Sequence, residues 1–300
     1  MTADDLRSAL SGPIAFPVTP FLADLSLDLA GLRQNIGALF QNPPAAIVAA
    51  GGTGELYSLT PAEHLQVVDT IVRETKGRVP VIAGVGFNTS IAQGLARESA
   101  RAGATGILAF PPYYPQADDE GLVEYYRAIG AATPLGLLIY SRDWFHPTAA
   151  LVQRLTDIPT LIAWKDGQGD IRRLQMLMSR VGRRLTWIGG AGDDMVPAYY
   201  ATGIRSFTSS VSNVSMRIAH ALHDLASRHD EALEPLMSEL IVPLYAMRSR
   251  RRGYEVTVMK ELMNLLGLAG GAVRPPLPRM SASDLEELKA SVPLWRARLR

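Results

Sequence analysis

Pro134-Leu135-Gly136-Leu137-Leu138-Ile139-Tyr140 and, after an amphipathic stretch over 147–156, Leu161-Ile162-Ala163-Trp164-Lys165 make one unit: apolar run, helix-length segment, apolar run. Runs this apolar suit strands buried on both faces, the condition of a parallel sheet covered by helices. The alternation continues in both directions. Further strand candidates lie at 14–19, 46–50, 79–84 and 106–110, and then at 185–189 and 206–208. Helix candidates fall between them at 61–75, 90–102, 119–132, 171–181 and 214–227. The first of these opens with Thr60 as N-cap, Pro61 at the first helical position and Glu63 completing a capping box. Eight strands with intervening helices in about 230 residues predict a (β/α)8 TIM barrel. A doubly wound sheet is disfavoured, because no Gly-x-Gly-x-x-Gly opens a helix after the first strand. Beyond residue 230 the strand signal stops and helices are expected at 231–247, 254–266 and 281–298. The expected organisation is a catalytic barrel over 1–230 and a C-terminal helical appendage over 231–300, three helices packed on the barrel.

Composition narrows the partners. The chain has 300 residues, 47% hydrophobic and 20% charged, with a net charge of +1 and no cysteine. Thiolate catalysis, disulfides and cysteine metal sites are excluded, and no electrostatic footprint for nucleic acid is present. The segment Met1-Thr-Ala-Asp-Asp-Leu-Arg carries acids where a secretion signal would be basic and then apolar. No apolar stretch is long enough to span a bilayer. The expectation is a cytoplasmic protein with a small-molecule ligand, no membrane or nucleic-acid partner, no metal and no cofactor.

Only four lysines occur, and Lys76, Lys260 and Lys289 read as surface residues. Lys165 ends a buried strand instead. Desolvation lowers the pKa of an ammonium, and a neutral amine can attack a carbonyl to form a Schiff base. Catalytic groups of such barrels sit at the C-terminal ends of the strands. Those ends carry Gly51-Gly52-Thr53-Gly54-Glu55, Pro111-Pro112-Tyr113-Tyr114, Tyr140, Lys165 and Gly190-Ala191-Gly192-Asp193-Asp194. Tyr140 and Lys165 should terminate adjacent strands, about 4.8 Å apart, where a phenol can relay protons to an imine. Period-two alternation puts Leu161, Ala163 and Lys165 inward and Ile162 and Trp164 outward. The glycine turn would present backbone N–H groups and the Thr53 hydroxyl to a carboxylate.

At these positions the chain resembles the dihydrodipicolinate synthase and N-acetylneuraminate lyase family of Schiff-base aldolases and dehydratases. The resemblance runs through Gly12-Pro-Ile-Ala-Phe-Pro-Val-Thr-Pro-Phe, Gly51-Gly-Thr-Gly-Glu, Pro112-Tyr-Tyr, Tyr140, Lys165 and Gly192-Asp-Asp. It implies that Lys165 forms the Schiff base, Tyr140 transfers protons, Thr53 and its neighbouring backbone hold the carboxylate beside the keto group, and Thr208 contacts the keto acid. It also implies a homodimer or homotetramer in which Tyr113 or Tyr114 reaches a neighbouring subunit's site.

Two departures point to one branch of that family. Synthases have a relay threonine where this chain has Gly52, and an arginine where it has Phe145; Arg142 lies three residues earlier. Together with Arg252-Gly-Tyr-Glu-Val-Thr and Val273-Arg-Pro-Pro-Leu, they resemble the 5-dehydro-4-deoxyglucarate dehydratases. The implied reaction is dehydration and decarboxylation of a keto-deoxy sugar diacid to 2,5-dioxopentanoate, with Arg142 as candidate ligand of the distal carboxylate.

Plainer readings stand beside these. Lys165 could pair with Asp166, Tyr140 could be a rim aromatic, and the glycines of the turn could serve only positive φ. Asp193 and Asp194 read as the acidic start of the next helix, and the arginine run 248–252 as a solvated helix end or interface. An aldolase or synthase acting on another 2-keto acid, and a non-catalytic keto-acid-binding protein, remain as alternative functions.

Overall fold

The computed structural model describes residues 1–299; Arg300 lies outside them. Eight parallel strands close into a barrel in chain order. They are β1 (Gly12–Ala15), β2 (Ala46–Ala49), β3 (Val81–Phe87), β4 (Gly106–Pro112), β5 (Gly136–Ser141), β6 (Leu161–Asp166), β7 (Thr186–Gly189) and β8 (Ser206–Ser209). Each is followed by a helix: α2 (Leu29–Leu39), α3 (Pro61–Thr75), α4 (Thr89–Arg101), α5 (Asp119–Gly130), α6 (Ala149–Leu155), α7 (Ile171–Val181), α8 (Val196–Ala201) and α9 (Met216–Arg228). A further helix, α1 (Ala3–Ala9), precedes the barrel. The sequence signal missed α1, α2 and α8. Two are only six or seven residues long, and α2 carries two glycines that dilute its periodicity.

Apolar side chains fill the barrel interior, among them Ile14, Val48, Ile82, Leu108, Leu138 and Ile188. The N-terminal end is closed by Leu6 of α1. Gly106 and Gly136 make room for it: a Cβ on Gly106 would lie 2.5 Å from a Leu6 methyl. The closed bottom leaves the strands' C-terminal ends as the open mouth.

Strand β6 departs from simple alternation. Its register with β5 slips so that Leu137 pairs Leu161 while Leu138 pairs Ala163, which makes Ile162 an extra residue. Ile162 therefore joins Ala163 in the interior cluster, and Leu161 packs outside with Trp164. The expected places of Leu161 and Ile162 are thus exchanged, because a bulge resets the period of two. Lys165, beyond the bulge, still faces the mouth.

The helices after α9 are α10 (Leu233–Leu236), a π turn (Met237–Ile241), α11 (Val242–Ser249), α12 (Tyr254–Leu265) and α13 (Ala282–Leu299). The continuous helix expected over 231–247 is interrupted because Pro243 lacks an N–H for the carbonyl of Glu239 and its ring crowds that carbonyl, so the preceding turn widens.

Lys260 of α12 overturns its reading as a surface lysine. It is 1% exposed, ion-paired with the fully buried Glu55, and its Nζ donates to the Ala272 carbonyl at 2.7 Å. The Phe21 ring lies 4.4 Å from the same ammonium. Burial acts against both charges, raising the Glu55 carboxyl and lowering the Lys260 ammonium, and each partner opposes the other's shift. Arg274, past α12, grips Glu63 at the start of α3 through two hydrogen bonds of 2.6 and 2.9 Å. The C-terminal helices are thereby clamped to the turn after β2.

Removing one partner of a buried pair strands the other charge. Lys260→Met should therefore cost about 3–5 kcal/mol in urea unfolding. The double variant Glu55→Gln/Lys260→Met should recover most of that loss; equal losses in single and double variants would refute a net role for the pair.

Candidate active site

Lys165 lies at the end of β6 with Tyr140 as its Cα partner on β5. The lysine is 3% exposed, and its Nζ sits 3.2 Å from the centroid of the Tyr140 ring and 5.1 Å from that of Phe16. Its one protein hydrogen bond among the described residues goes to the Gly190 carbonyl, at 3.2 Å. Asp166 does not pair with it. That carboxylate accepts instead from the Tyr199 hydroxyl at 2.8 Å and from the amides of Gln168 and Gly169. Desolvation, reinforced by the positive charge of Arg142, holds the Lys165 amine well below the ordinary lysine range. Burial pushes the Tyr140 phenol upward, so it stays protonated and can donate. A neutral amine beside a protonated phenol is the pairing that imine formation needs.

Two glycines create the space for this pair. A Cβ on Gly190 would lie 2.5 Å from Lys165 Cγ, and one on Gly167 would lie 2.3 Å from Tyr140 Cε2. Both were visible in the sequence only as loop residues. Their necessity comes from side chains that cross them.

The amine opens into a cavity of about 420 Å³ at the barrel mouth, lined by Gly52, Thr53, Arg142 and Thr208 as expected, together with Tyr57, Ser210 and Arg248. Thr208 falls within β8 and donates weakly to the Gly189 carbonyl at 3.5 Å. In the turn after β2, positive φ belongs to Ala50 and Glu55, not to the glycines. At Gly51 the need is for room, since a Cβ there would strike the Phe16 ring at 2.8 Å; one on Gly52 would lie 3.2 Å from Arg142 Nη1, the end of a flexible side chain. The amides of Gly52 and Thr53 donate to no protein acceptor among the described residues. Phe145 is remote from the cavity, packed against Tyr126 and Trp164 with ring centroids 5.8 and 5.9 Å away.

Tyr113 and Tyr114 do not line the lysine cavity; they are 71% and 93% exposed beside a separate apolar cavity of about 230 Å³. Two further expectations, for Asp193 and for the arginine run, resolve differently. Asp193 does not serve the helix that follows it. It is fully buried, and its carboxylate accepts from the amides of Ser210 and Val211 and from the Tyr245 hydroxyl, tying the β7 loop to the β8 loop and α11. Arg248 is not solvated: the C-terminal helices fold over the mouth and bury it at the cavity. Its neighbours in the run, Arg250, Arg251 and Arg252, are exposed or ion-paired at the surface, and a run of like charges gave no signal separating the one that turns inward.

A buried amine of lowered basicity beside a protonated phenol at the mouth of a closed barrel matches the site of a Schiff-base-forming (β/α)8 enzyme. The dihydrodipicolinate synthetase family model matches residues 9–293, and the chain belongs to that family. It is 42% identical over 282 residues to a protein of Saccharopolyspora erythraea named probable 5-dehydro-4-deoxyglucarate dehydratase, covering 93% of this chain and 91% of that one. A protein of Bradyrhizobium diazoefficiens with the same name is 38% identical over 297 residues, 97% of this chain and 95% of its own. The fold matches dihydrodipicolinate synthase of Oceanobacillus iheyensis with a TM-score of 0.93 at 29% identity, covering 98% and 99% of the two chains.

Borohydride trapping of a 2-keto acid on Lys165 should speed up as pH rises through the depressed amine value and level off below the ordinary lysine range; a rise continuing to that range would contradict the buried, unpaired amine. Gly190→Ala should abolish trapping while far-UV circular dichroism stays unchanged, since the added methyl displaces the lysine and leaves the barrel closed.

Proposed function

We propose that the protein dehydrates and decarboxylates 5-dehydro-4-deoxyglucarate to 2,5-dioxopentanoate, carbon dioxide and water through a Schiff base on Lys165. The observation that carries this reading is the exchange at Gly52. Where a synthase-type threonine would stand, the absent side chain leaves the space bordered by Arg142 Nη1. Phe145, where a synthase-type arginine would stand, is in the core. The names of the relatives from Saccharopolyspora and Bradyrhizobium agree.

Lys165 attacks the keto carbon while the unpartnered amides of Gly52 and Thr53 and the Thr53 hydroxyl hold the adjacent carboxylate, with Thr208 beside the bound keto acid. Tyr140 donates a proton to the departing carbonyl oxygen, and water leaves as the iminium forms. Loss of the α proton gives an enamine, which expels the β hydroxyl as water. The unsaturated iminium is conjugated to the γ carbon, so the electron pair of the bond to the distal carboxylate flows to the iminium nitrogen as carbon dioxide departs. The resulting enol tautomerises to the aldehyde, and hydrolysis frees the lysine. Arg142, already neutralised in part by Asp143 through a 3.0 Å ion pair, receives the distal carboxylate. Excessive grip there would stabilise the ground state of a group that must lose its charge.

The same reading includes cytoplasmic placement, a division into a barrel over 1–230 and an extension over 231–300, and assembly as a homodimer or homotetramer. Exposed Tyr113 and Tyr114 beside an apolar cavity support an interface there, with one of these phenols serving as relay in a neighbouring subunit's site.

Supplied with the keto-deoxy diacid, the wild type should release one carbon dioxide per 2,5-dioxopentanoate seen by NMR. Retro-aldol cleavage to pyruvate, or an intact carbon skeleton, would overturn the proposal. Lys165→Ala should remove turnover, Tyr140→Phe should lower kcat by roughly 10²–10⁴, and Arg142→Gln should raise KM for the diacid more than it lowers kcat.

A further inference from the structure

Arg248 of α11 is a buried cation with unfilled donors. It is 7% exposed, its Nε donates to the Glu255 carbonyl at 2.9 Å, and its Nη2 donates to Ser210 Oγ at 3.2 Å. Nη1 is buried with no protein partner. No carboxylate lies within ion-pairing distance of the guanidinium among the described residues. Beyond these two acceptors, the face of the Tyr245 ring lies 4.3 Å from Cζ. A charge kept from water without a counter-ion is costly, and removal of the charge is not open to a guanidinium. Within the protein the Asp194 carboxylate acts on this charge only from beyond ion-pairing distance, and an anion entering the cavity that Arg248 lines would complete its compensation.

Which anionic group it meets follows from what Arg248 touches and from the chemistry. Ser210 Oγ, bonded to Arg248, lies 3.5 Å from Thr53 Oγ1, the hydroxyl of the glycine turn. Arg248, Ser210 and Thr53 thus form one polar chain along the cavity wall. Of two carboxylates on a diacid, the one beside the keto carbon keeps its charge throughout, whereas the distal one is lost. A largely buried guanidinium at the cavity wall is suited to the first, because tight binding there is the same in ground and transition states and does not oppose the reaction. Arg142, partly exposed and already paired with Asp143, is suited to the second.

We infer that Arg248, contributed by the C-terminal helices and not by the barrel, is the counter-ion of the carboxylate beside the keto group, acting with Ser210 and Thr53. The inference rests on Lys165 condensing with a 2-keto acid, but not on the diacid as substrate. Arg248 is a binding residue, and its partner is a carboxylate present on every 2-keto acid.

The test uses pyruvate, which has that carboxylate and no other, and pyruvamide, its neutral counterpart, each trapped on the full-length protein by borohydride and quantified by intact mass. Arg248→Gln should weaken half-saturation by pyruvate roughly 10–100-fold, the size of a hydrogen-bonded charge contact, while pyruvamide trapping stays within about threefold. Arg248→Lys should recover part of the pyruvate loss, since charge returns without the fork. Equal weakening of both probes would mean that Arg248 only holds Ser210 and α12 in place. No weakening of either would mean that the carboxylate is held by the turn alone, and both outcomes overturn the inference. Failure of the dehydratase reading would appear separately, as normal pyruvate trapping without carbon dioxide release from the diacid.

Discussion

An amine denied water and denied a counter-ion is the constraint around which this molecule is arranged. Lys165 has aromatic faces on two sides and a single carbonyl within hydrogen-bonding reach among the described residues. The carboxylate next to it in sequence is occupied elsewhere by Tyr199. Were Asp166 to turn toward the lysine, the ammonium would be stabilised and the nucleophile lost. Tyr199 thus bears on the lysine indirectly, by holding the Asp166 carboxylate away from it. Gly167 and Gly190 matter in the same indirect way, by being absent where Tyr140 and Lys165 must pass.

The second organising element is the clamp between the turn after β2 and the C-terminal helices. Glu55 closes the glycine turn in a left-handed conformation and is held from α12 by Lys260. From α11, Arg248 reaches the same neighbourhood through Ser210. Asp193 ties the β7 and β8 loops to Tyr245 of α11. The helices after the barrel therefore both brace the mouth and supply charge to it. A barrel alone would present the lysine and the tyrosine but would lack the buried guanidinium.

Much of this could be read from the chain. Strand-length apolar runs mark β1 to β7, because strands sealed on both faces admit few polar residues, whereas β8, Ser206-Phe-Thr-Ser, has a single apolar residue. Thr60, Pro61 and Glu63 mark the start of α3, and the capping box is formed. The lysine stood out because an ammonium is rare at the end of an apolar run. Helices α1 and α8 went unread, six or seven residues carrying little periodicity, whereas the equally short α6 fell within the stretch expected at 147–156. The plainer reading of the glycine turn as a matter of φ fails, because positive φ there belongs to Ala50 and Glu55. Gly51 is small because Phe16, distant in sequence, comes against it.

The sequence by itself determined the barrel, the neighbouring placement of Tyr140 and Lys165, and the family, because each follows from local pattern and from the order of motifs along the chain. Tertiary structure decided charge. Lys260 and Arg248 sit in amphipathic stretches whose charged residues are expected on the water face, and the arginine run looks uniformly solvated. Folding of the C-terminal helices over the mouth buries one cation against Glu55 and another at the cavity. Whether a charged side chain meets water, a partner or a ligand depends on surfaces assembled from residues far apart in the chain, and no local pattern encodes that.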